Sequence, residues 1–266
     1  MGSTSNNEEI TVLITGFGPF KVDYPVNPSW EIARQLPKYL PPVRPKTKGP
    51  SSAAGSAVSH TLPPVRLLVH PEAIRVNYQT VRALVPKLWN LDGSSTDDEN
   101  TPPAKIDYAI HIGMAGPKLV YSVERRGHRD GYAMKDVDGE FLRDQDRRLR
   151  EGKKWVWDGE PAELLTDFDL DDVLVRWRGH SPDNLELRVS EDAGRYLCDF
   201  IYFSSLAHLH KVKQPRKVVF LHVPSDCAEQ QIANGKELVI QLVRSLVESE
   251  LARKGQLSKP AKGAGN

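Results

Sequence analysis

Cysteine is scarce in this sequence, which has only two among its 266 residues, Cys198 and Cys227. A small secreted fold held by several disulfides needs more cysteines than this, and so does a structural zinc site built mainly of thiolates. Cysteines that stay unpaired are typical of proteins in a reducing compartment. We therefore expect a cytoplasmic protein with free thiols and no structural metal.

Long hydrophobic runs and an excess of charge of one sign are also missing. No apolar stretch approaches the roughly 20 residues needed to span a bilayer, and the polar residues 1–7 lack the apolar core of a secretory signal. The 36 Lys and Arg residues nearly balance the 35 Asp and Glu residues, which leaves a formal net charge of +1. Such a surface has no general attraction for nucleic acid or anionic lipid, so we expect neither a nucleic acid nor a membrane as partner.

Short apolar runs rich in β-branched residues alternate along the chain with segments of helical periodicity. The runs predict strands at 10–16, 65–69, 106–112, 119–123, 185–189 and 218–223. The periodic segments predict helices from 28 to about 36, with Asn27 as N-cap and Pro28 in the first position, over 78–91, from 193 to about 212 and from 228 to about 252. This alternation favours a mainly parallel sheet with helices on both faces.

Polar segments interrupt this order. Residues 46–63 and 92–104 are rich in turn-forming and polar residues, 129–180 is charge-dense without clear periodicity, and 254–266 is a polar tail. We interpret 46–63, 92–104 and part of 129–180 as loop insertions. On this interpretation residues 1–266 form one domain.

Two side chains late in the chain can be placed at one edge of the predicted sheet. Cys198 lies early in a helix that follows a strand, where the positive end of the helix dipole favours the thiolate. His222 lies at the carboxyl end of the next strand, and sites in open α/β sheets gather at that edge. The residues alone leave two alternatives open: a cysteine that is a small buried hydrophobe, and a histidine hydrogen-bonded in the core.

Four segments, in the same order along the chain, resemble the pyroglutamyl-peptidase I family of cysteine peptidases. They are Leu-Ile-Thr-Gly-Phe-Gly-Pro-Phe at 13–20 with Asn-Pro-Ser-Trp at 27–30, Gly-Met-Ala-Gly at 113–116 with Ser-Val-Glu-Arg at 122–125, Ala-Gly-Arg-Tyr-Leu-Cys-Asp at 193–199, and Phe-Leu-His-Val-Pro at 220–224. They are similar to the family's N-terminal motifs, its glutamate and cysteine signatures and its histidine segment. The resemblance implies a single-domain, three-layer α/β/α sandwich with a mostly parallel central sheet.

The resemblance also implies an activity, the removal of an N-terminal pyroglutamyl (5-oxoproline) residue from peptides without a metal or other cofactor. Cys198 is then the nucleophile, His222 takes the proton of Cys198 and later protonates the departing amine, and Glu124 orients the imidazole. A thioester acyl-enzyme forms and is hydrolysed. Phe17 and Phe20 are implied to form the slot for the flat lactam, the alternative being that both are core residues that bracket a turn.

Some residues depart from the family pattern. Asp199 follows the cysteine where asparagine is commoner, and residues 126–132 replace an Ala-x-Asn pattern that many members have after the glutamate. Cys227 lacks the signature context, and we interpret it as structural or as an incidental surface thiol. All three catalytic residue types are nevertheless present.

Two other functions stay open on the sequence. One is a non-catalytic relative that binds pyroglutamyl peptides or serves as an interaction module, against which the intact set of catalytic residue types argues. The other is a different α/β enzyme, such as a phosphorylase of similar topology, against which the lack of a Gly-rich phosphate loop argues. The sequence leaves the oligomeric state open.

Overall fold

The computed structural model describes residues 8–20, 24–43, 62–89 and 105–257. In chain order the strands are β1 (Ile10–Gly16), β2 (Val65–Val69), β3 (Tyr108–Met114), β4 (Val120–Glu124), β5 (Arg126–His128), β6 (Glu163–Leu165), β7 (Glu186–Ser190) and β8 (Val218–Val223). The helices are α1 (Pro28–Ala33), α2 (Tyr78–Trp89), α3 (Asp144–Glu151), α4 (Leu170–His180), α5 (Leu197–Lys211) and α6 (Glu229–Arg253).

Six of the strands form one sheet in the order β2-β1-β3-β8-β4-β7. The first four are parallel to one another, whereas β4 and β7 are parallel to each other and β4 is antiparallel to β8. The predicted mostly parallel sheet is therefore confirmed, with one reversal of direction between β8 and β4. Strands β5 and β6 form a separate antiparallel pair.

Helices cover both faces of this sheet. On β8, Val219 and Leu221 pack in a cluster with α1, α4 and α6, whereas Val218 and Phe220 pack in a second cluster with α2 and α5. Successive side chains of a strand point to opposite faces, so a strand covered on both sides is apolar on both faces, as β8 is from Val218 to Leu221. The three-layer α/β/α sandwich is confirmed.

Several predicted elements have the bounds that the sequence indicates. Strands β1, β2 and β8 begin and end at the predicted residues. At α1 the Asn27 side chain accepts from Ser29 N at 3.1 Å, which confirms the cap and the first-position Pro28. The predicted insertions at 92–104 and, apart from residues 62 and 63, at 46–63 lie outside the described residues.

Other predicted bounds were wrong. Helix α1 ends at Ala33 rather than near 36, and β3 lies two residues later than predicted. Helix α5 begins at Leu197 rather than 193, because Gly194 has a positive φ of +83° and Tyr196 is extended. Cys198 is consequently the second residue of its helix, closer to the positive end of the dipole than the sequence indicated.

Part of the charge-dense stretch 129–180 packs over α5. Trp155 and Trp157 are buried in the same cluster as α5, and the Trp157 ring centroid lies 5.2 Å from that of Phe200 and 4.9 Å from that of Phe203. Isolated tryptophans among charged residues leave no periodic pattern, which is why the sequence did not predict this layer. Among the described residues, no helix has an apolar stretch long enough to cross a bilayer.

Candidate active site

Strand register brings the predicted glutamate and histidine together on the face of the sheet that α5 covers. Glu124, the last residue of β4, pairs with Phe220 of β8, and His222 lies two residues further along β8 on the same face. The two side chains meet diagonally, with His222 Nδ1 2.8 Å from Glu124 Oε1. A neutral or charged imidazole donates through Nδ1 to this carboxylate, which leaves Nε2 to face a second group.

That second group is the Cys198 side chain, whose interaction with the imidazole favours its protonated form. Burial alone would lower the pKa of His222, but the hydrogen bond and charge of the Cys198 thiolate, together with those of Glu124, outweigh it and raise the pKa to about 10. The imidazolium form is therefore stabilised between two anions. A preformed imidazolium–thiolate pair is the form in which a cysteine is nucleophilic at neutral pH.

The start of α5 supplies further stabilisation of negative charge beside Cys198. The first intrahelical bond is from Phe200 N to Tyr196 O, so the amides of the three preceding helical residues have no acceptor within the helix. Tyr196 stands at the N-cap, and its side chain makes no capping hydrogen bond among the described residues. The amides near the thiol are therefore available to an oxyanion.

Gly113 forms the floor beneath the Cys198 sulfur. It pairs with His222 across β3 and β8, and a Cβ built on it would lie 2.9 Å from Cys198 Sγ and would overlap Phe220 Cζ. A side chain at this position would displace the sulfur or the ring that supports His222. The Phe220 and His222 ring centroids lie 4.7 Å apart. The sequence placed Gly113 within a signature without indicating this contact.

We expect Gly113→Ala to lower kcat/KM by about 10²-fold or more, because an added methyl group displaces the thiol and a displacement of about 1 Å at a reacting group can cost that much. The measurement is kcat/KM for a pyroglutamyl amide, with circular dichroism as the test of folding. Gly116→Ala is the matched control, since a Cβ there meets no described atom within 4 Å. A folded Gly113→Ala protein with parental kcat/KM would contradict the proposed floor.

Helix α5 is also tied to the strand that carries the glutamate. The Tyr202 hydroxyl donates to the Glu124 carbonyl at 2.8 Å, and Tyr202 is fully buried. Tyr202 lies four residues after Cys198 and therefore on the same face of α5. This bond fixes the distance between the nucleophile helix and the end of β4, a role for Tyr202 that sequence reasoning missed.

The two predicted slot residues have different environments. Phe17 is buried in the cluster shared with α5, whereas Phe20 is only partly buried and its ring centroid lies 6.1 Å from that of Tyr196. Tyr196 immediately precedes the first turn of α5, and sequence reasoning missed it. Phe20 and Tyr196 thus form an aromatic pair next to Cys198, while Phe17 lies deeper.

Polar bonds from α1 and its cap hold the loop that carries these aromatic residues. Asn27 Nδ2 donates to Gly18 O at 2.9 Å, and Phe17 N donates to Ser29 Oγ at 3.0 Å. Asn27 and Ser29 are both buried. Asn27 therefore fixes the loop as well as capping α1, because its amide group donates while its carbonyl accepts.

Asp199, the departure from asparagine, lies in a buried polar cluster behind the nucleophile. Its carboxylate accepts from His128 N at 3.2 Å and contacts His128 Nδ1 at 3.3 Å and the Tyr132 hydroxyl at 2.9 Å. Burial raises the pKa of Asp199, and the hydrogen bonds from His128 and Tyr132 oppose that rise. The side chain binds β5 and the residues after it to the first turn of α5, so its role is structural.

Cys227 has surroundings unlike those of Cys198. It is exposed, its Sγ lies 3.7 Å from Val26 O, and burial of the sulfur followed by the charges of Asp226 and Glu31 raises the pKa of its thiol. Acidic neighbours disfavour a thiolate. This agrees with the interpretation of Cys227 as a surface thiol.

Comparison with known proteins places these features in a family. The family described as pyroglutamyl peptidase matches residues 80–247. Human pyroglutamyl-peptidase 1 is 30% identical over 213 residues, which cover 80% of this chain and 78% of that protein. The pyrrolidone-carboxylate peptidase of Klebsiella pneumoniae is 25% identical over 245 residues, with 91% of each chain covered.

Solved structures show the same fold. The pyrrolidone carboxyl peptidase from Thermococcus litoralis has a TM-score of 0.62 at 16% identity, covering 95% of this chain and 99% of that one. The pyroglutamyl peptidase I from Bacillus amyloliquefaciens has a TM-score of 0.58 at 18% identity, covering 90% and 94%. The sequence relatives and the matched family together make the assignment: the chain belongs to the pyroglutamyl peptidase family.

Proposed function

We propose that the protein is a cysteine peptidase that hydrolyses the amide bond after an N-terminal pyroglutamyl residue, through a thioester on Cys198. The observation that carries the proposal is the Glu124–His222 pair, whose imidazole interacts with a thiol in the first turn of α5. Nucleophile, base and orienting carboxylate thus lie in one continuous chain of contacts. No cofactor is needed for this chemistry.

Acylation begins with the proton on His222 and the negative charge on Cys198. The sulfur attacks the pyroglutamyl carbonyl carbon, and the amides at the start of α5 stabilise the resulting oxyanion. His222 then transfers its proton from Nε2 to the leaving nitrogen, the carbon–nitrogen bond breaks, and the shortened peptide departs as an amine. Glu124 keeps the ring in place throughout.

Deacylation uses the same groups, but His222 now accepts a proton instead of donating one. Neutral His222 takes a proton from water while the water oxygen attacks the thioester carbonyl, and the same amides stabilise the second oxyanion. The carbon–sulfur bond then breaks, which releases pyroglutamate and returns the imidazolium–thiolate pair. Glu124 stabilises the imidazolium at both steps.

Recognition of the substrate depends on its uncharged ring. A pyroglutamyl residue is a flat lactam without an ammonium group, so stacking against aromatic rings suits it better than a carboxylate would. Phe20 and Tyr196 supply such rings beside the nucleophile, and Phe17 supports them from the core. We assign the slot to these three residues, with Tyr196 added to the two that the sequence predicted.

A thiol nucleophile also indicates the kind of cellular compartment in which the protein works. Thiolates are oxidised readily, and both cysteines of this chain are free. We propose that the protein works in a reducing compartment, the cytoplasm, where Cys198 stays in the active form.

The test is turnover of three fluorogenic amides by the parent protein under reducing conditions. We expect release of the fluorophore from the pyroglutamyl amide, and little from the prolyl amide, which has a charged ring nitrogen, or the glutaminyl amide, which has no ring. Binding of a pyroglutamyl peptide by calorimetry without turnover of any amide would instead support a non-catalytic relative. Turnover of all three at similar rates would contradict the proposed specificity.

A further inference from the structure

A fully buried polar trio lies directly beneath the catalytic residues. His111 of β3 has its Nδ1 2.8 Å from Thr15 Oγ1 of β1 and its Nε2 2.8 Å from Ser205 Oγ of α5. All three side chains are at most 1% exposed. None of them belongs to the proposed catalytic set, and the sequence analysis gave none of them a role of its own.

The trio is satisfied internally. Burial, followed by the nearby charge of His70, lowers the pKa of His111 to about 3, so the ring is neutral across the range in which the protein would work. A neutral imidazole has one donor and one acceptor nitrogen, and each can be matched by a hydroxyl group. Three polar groups in an apolar layer are costly unless bonded in this way, and the bonds hold the ring in one orientation.

Two members of the trio, Thr15 and His111, lie in the same row of the sheet as Glu124, and the row that contains Gly113 and His222 lies two residues further along β3 and β8. Thr15 pairs with His111, His111 with Phe220, and Phe220 with Glu124, so the four lie side by side across four adjacent strands. Two residues further along β3 is Gly113, the floor beneath Cys198 Sγ. His111 is therefore connected through the backbone to the floor of the nucleophile site.

Ser205 connects the trio to the nucleophile from above. It follows Cys198 by seven residues on α5, which is about two turns, so both side chains lie on the sheet-facing side of the helix. Two hydrogen bonds tie α5 to the sheet, those of Ser205 and Tyr202, and other buried side chains of α5 in the same cluster, such as Ile201 and Leu206, are apolar. Apolar contacts are non-directional and tolerate sliding of a helix along a sheet, whereas a hydrogen bond does not.

We infer that His111 is a positioning residue, which through Ser205 and Thr15 holds α5 at the register on the sheet that places Cys198 Sγ above Gly113 and beside His222. The effect of this positioning on kcat/KM rests on the proposed function. The position of the thiol can also be measured without turnover, because iodoacetamide alkylates Cys198 at a rate that depends on its contact with His222.

The first test compares two neighbouring serines on α5 in a Cys227→Ala background, so that one thiol is left to react. Ser205→Ala removes the bond to His111, whereas Ser204→Ala removes only a bond within the helix, from Ser204 Oγ to Phe200 O. We expect Ser205→Ala to lower both kcat/KM and the rate of alkylation by about 10- to 100-fold. Ser204→Ala should change either rate by no more than about twofold.

The second test varies the ring itself and is independent of whether Ser205→Ala folds. The amide of His111→Gln can replace Nε2 and keep the bond to Ser205, whereas the shorter amide of His111→Asn replaces Nδ1 and keeps only the bond to Thr15. We expect the glutamine variant to alkylate faster than the asparagine variant, because only the former retains the link to the nucleophile helix.

The outcomes separate the inference from the proposed function. Equal alkylation rates in the two serine variants, or a glutamine variant no faster than the asparagine one, would overturn the positioning role. A parent protein that turns over no pyroglutamyl amide would overturn the function. In that case, slower alkylation of Ser205→Ala than of Ser204→Ala, and of His111→Asn than of His111→Gln, would still support the positioning role of His111.

Discussion

Cys198→Ala is expected to abolish turnover of a pyroglutamyl amide, whereas Cys227→Ala retains most of it. Alanine at 198 removes the only atom that forms the acyl-enzyme bond, and no other group at the start of α5 replaces it. Loss of a catalytic group that acts as part of a unit typically costs on the order of 10⁴-fold or more in kcat. Cys227 is exposed, and its carbonyl contacts lie away from the Glu124–His222 pair.

The comparison of the two cysteine variants is informative because the changes are chemically identical. Alanine is tolerated in a helix, so Cys198→Ala preserves α5, and circular dichroism checks that it does. The measurement is initial rate of amine release at matched concentrations of folded protein under reducing conditions. Equal loss of activity in both variants would refute Cys198 as the sole nucleophile.

His222→Ala is expected to lower kcat/KM by on the order of 10⁴-fold, because it removes the proton acceptor and the cation that stabilises the thiolate together. Glu124→Gln is expected to have a smaller effect, because the amide oxygen can still accept from Nδ1 but carries no charge. The loss of kcat/KM in Glu124→Gln relative to the parent protein measures the contribution of the carboxylate charge, because the bond that orients the ring is kept.

Glu124→Gln is also expected to change the pH dependence of activity and stability. The pKa of His222 is raised from 6.5 to about 10, so the stabilisation from the ion pair is complete below pH 6.5 and is lost as the pH rises through about 10. Removing the Glu124 charge lowers this pKa, so the alkaline limb of kcat/KM and the alkaline loss of Tm should both move to lower pH. An unchanged alkaline limb in Glu124→Gln would contradict the assigned role of the carboxylate.

Local patterns predicted the fold well where one element has an unambiguous period. The apolar, β-branched run of β8 and the Asn-Pro start of α1 are read from neighbouring residues, and both are where the sequence indicated. The start of α5 was wrong by four residues, since a helical pattern of side chains does not reveal the extended backbone at Tyr196. Trp155 and Trp157 were likewise undetectable as core residues within a charged stretch.

The family, the three candidate catalytic residues and the layered class of the fold could be predicted from the sequence, because signatures and hydrophobic periods are short-range properties of the chain. Which groups meet is known from the fold alone. Glu124 and His222 are 98 residues apart and Thr15 and His111 are 96 apart, and each pair is joined by the register of two strands. The same register puts Gly113 under the thiol. A contact made by strand pairing depends on both strands at once, so no local pattern in either one encodes it.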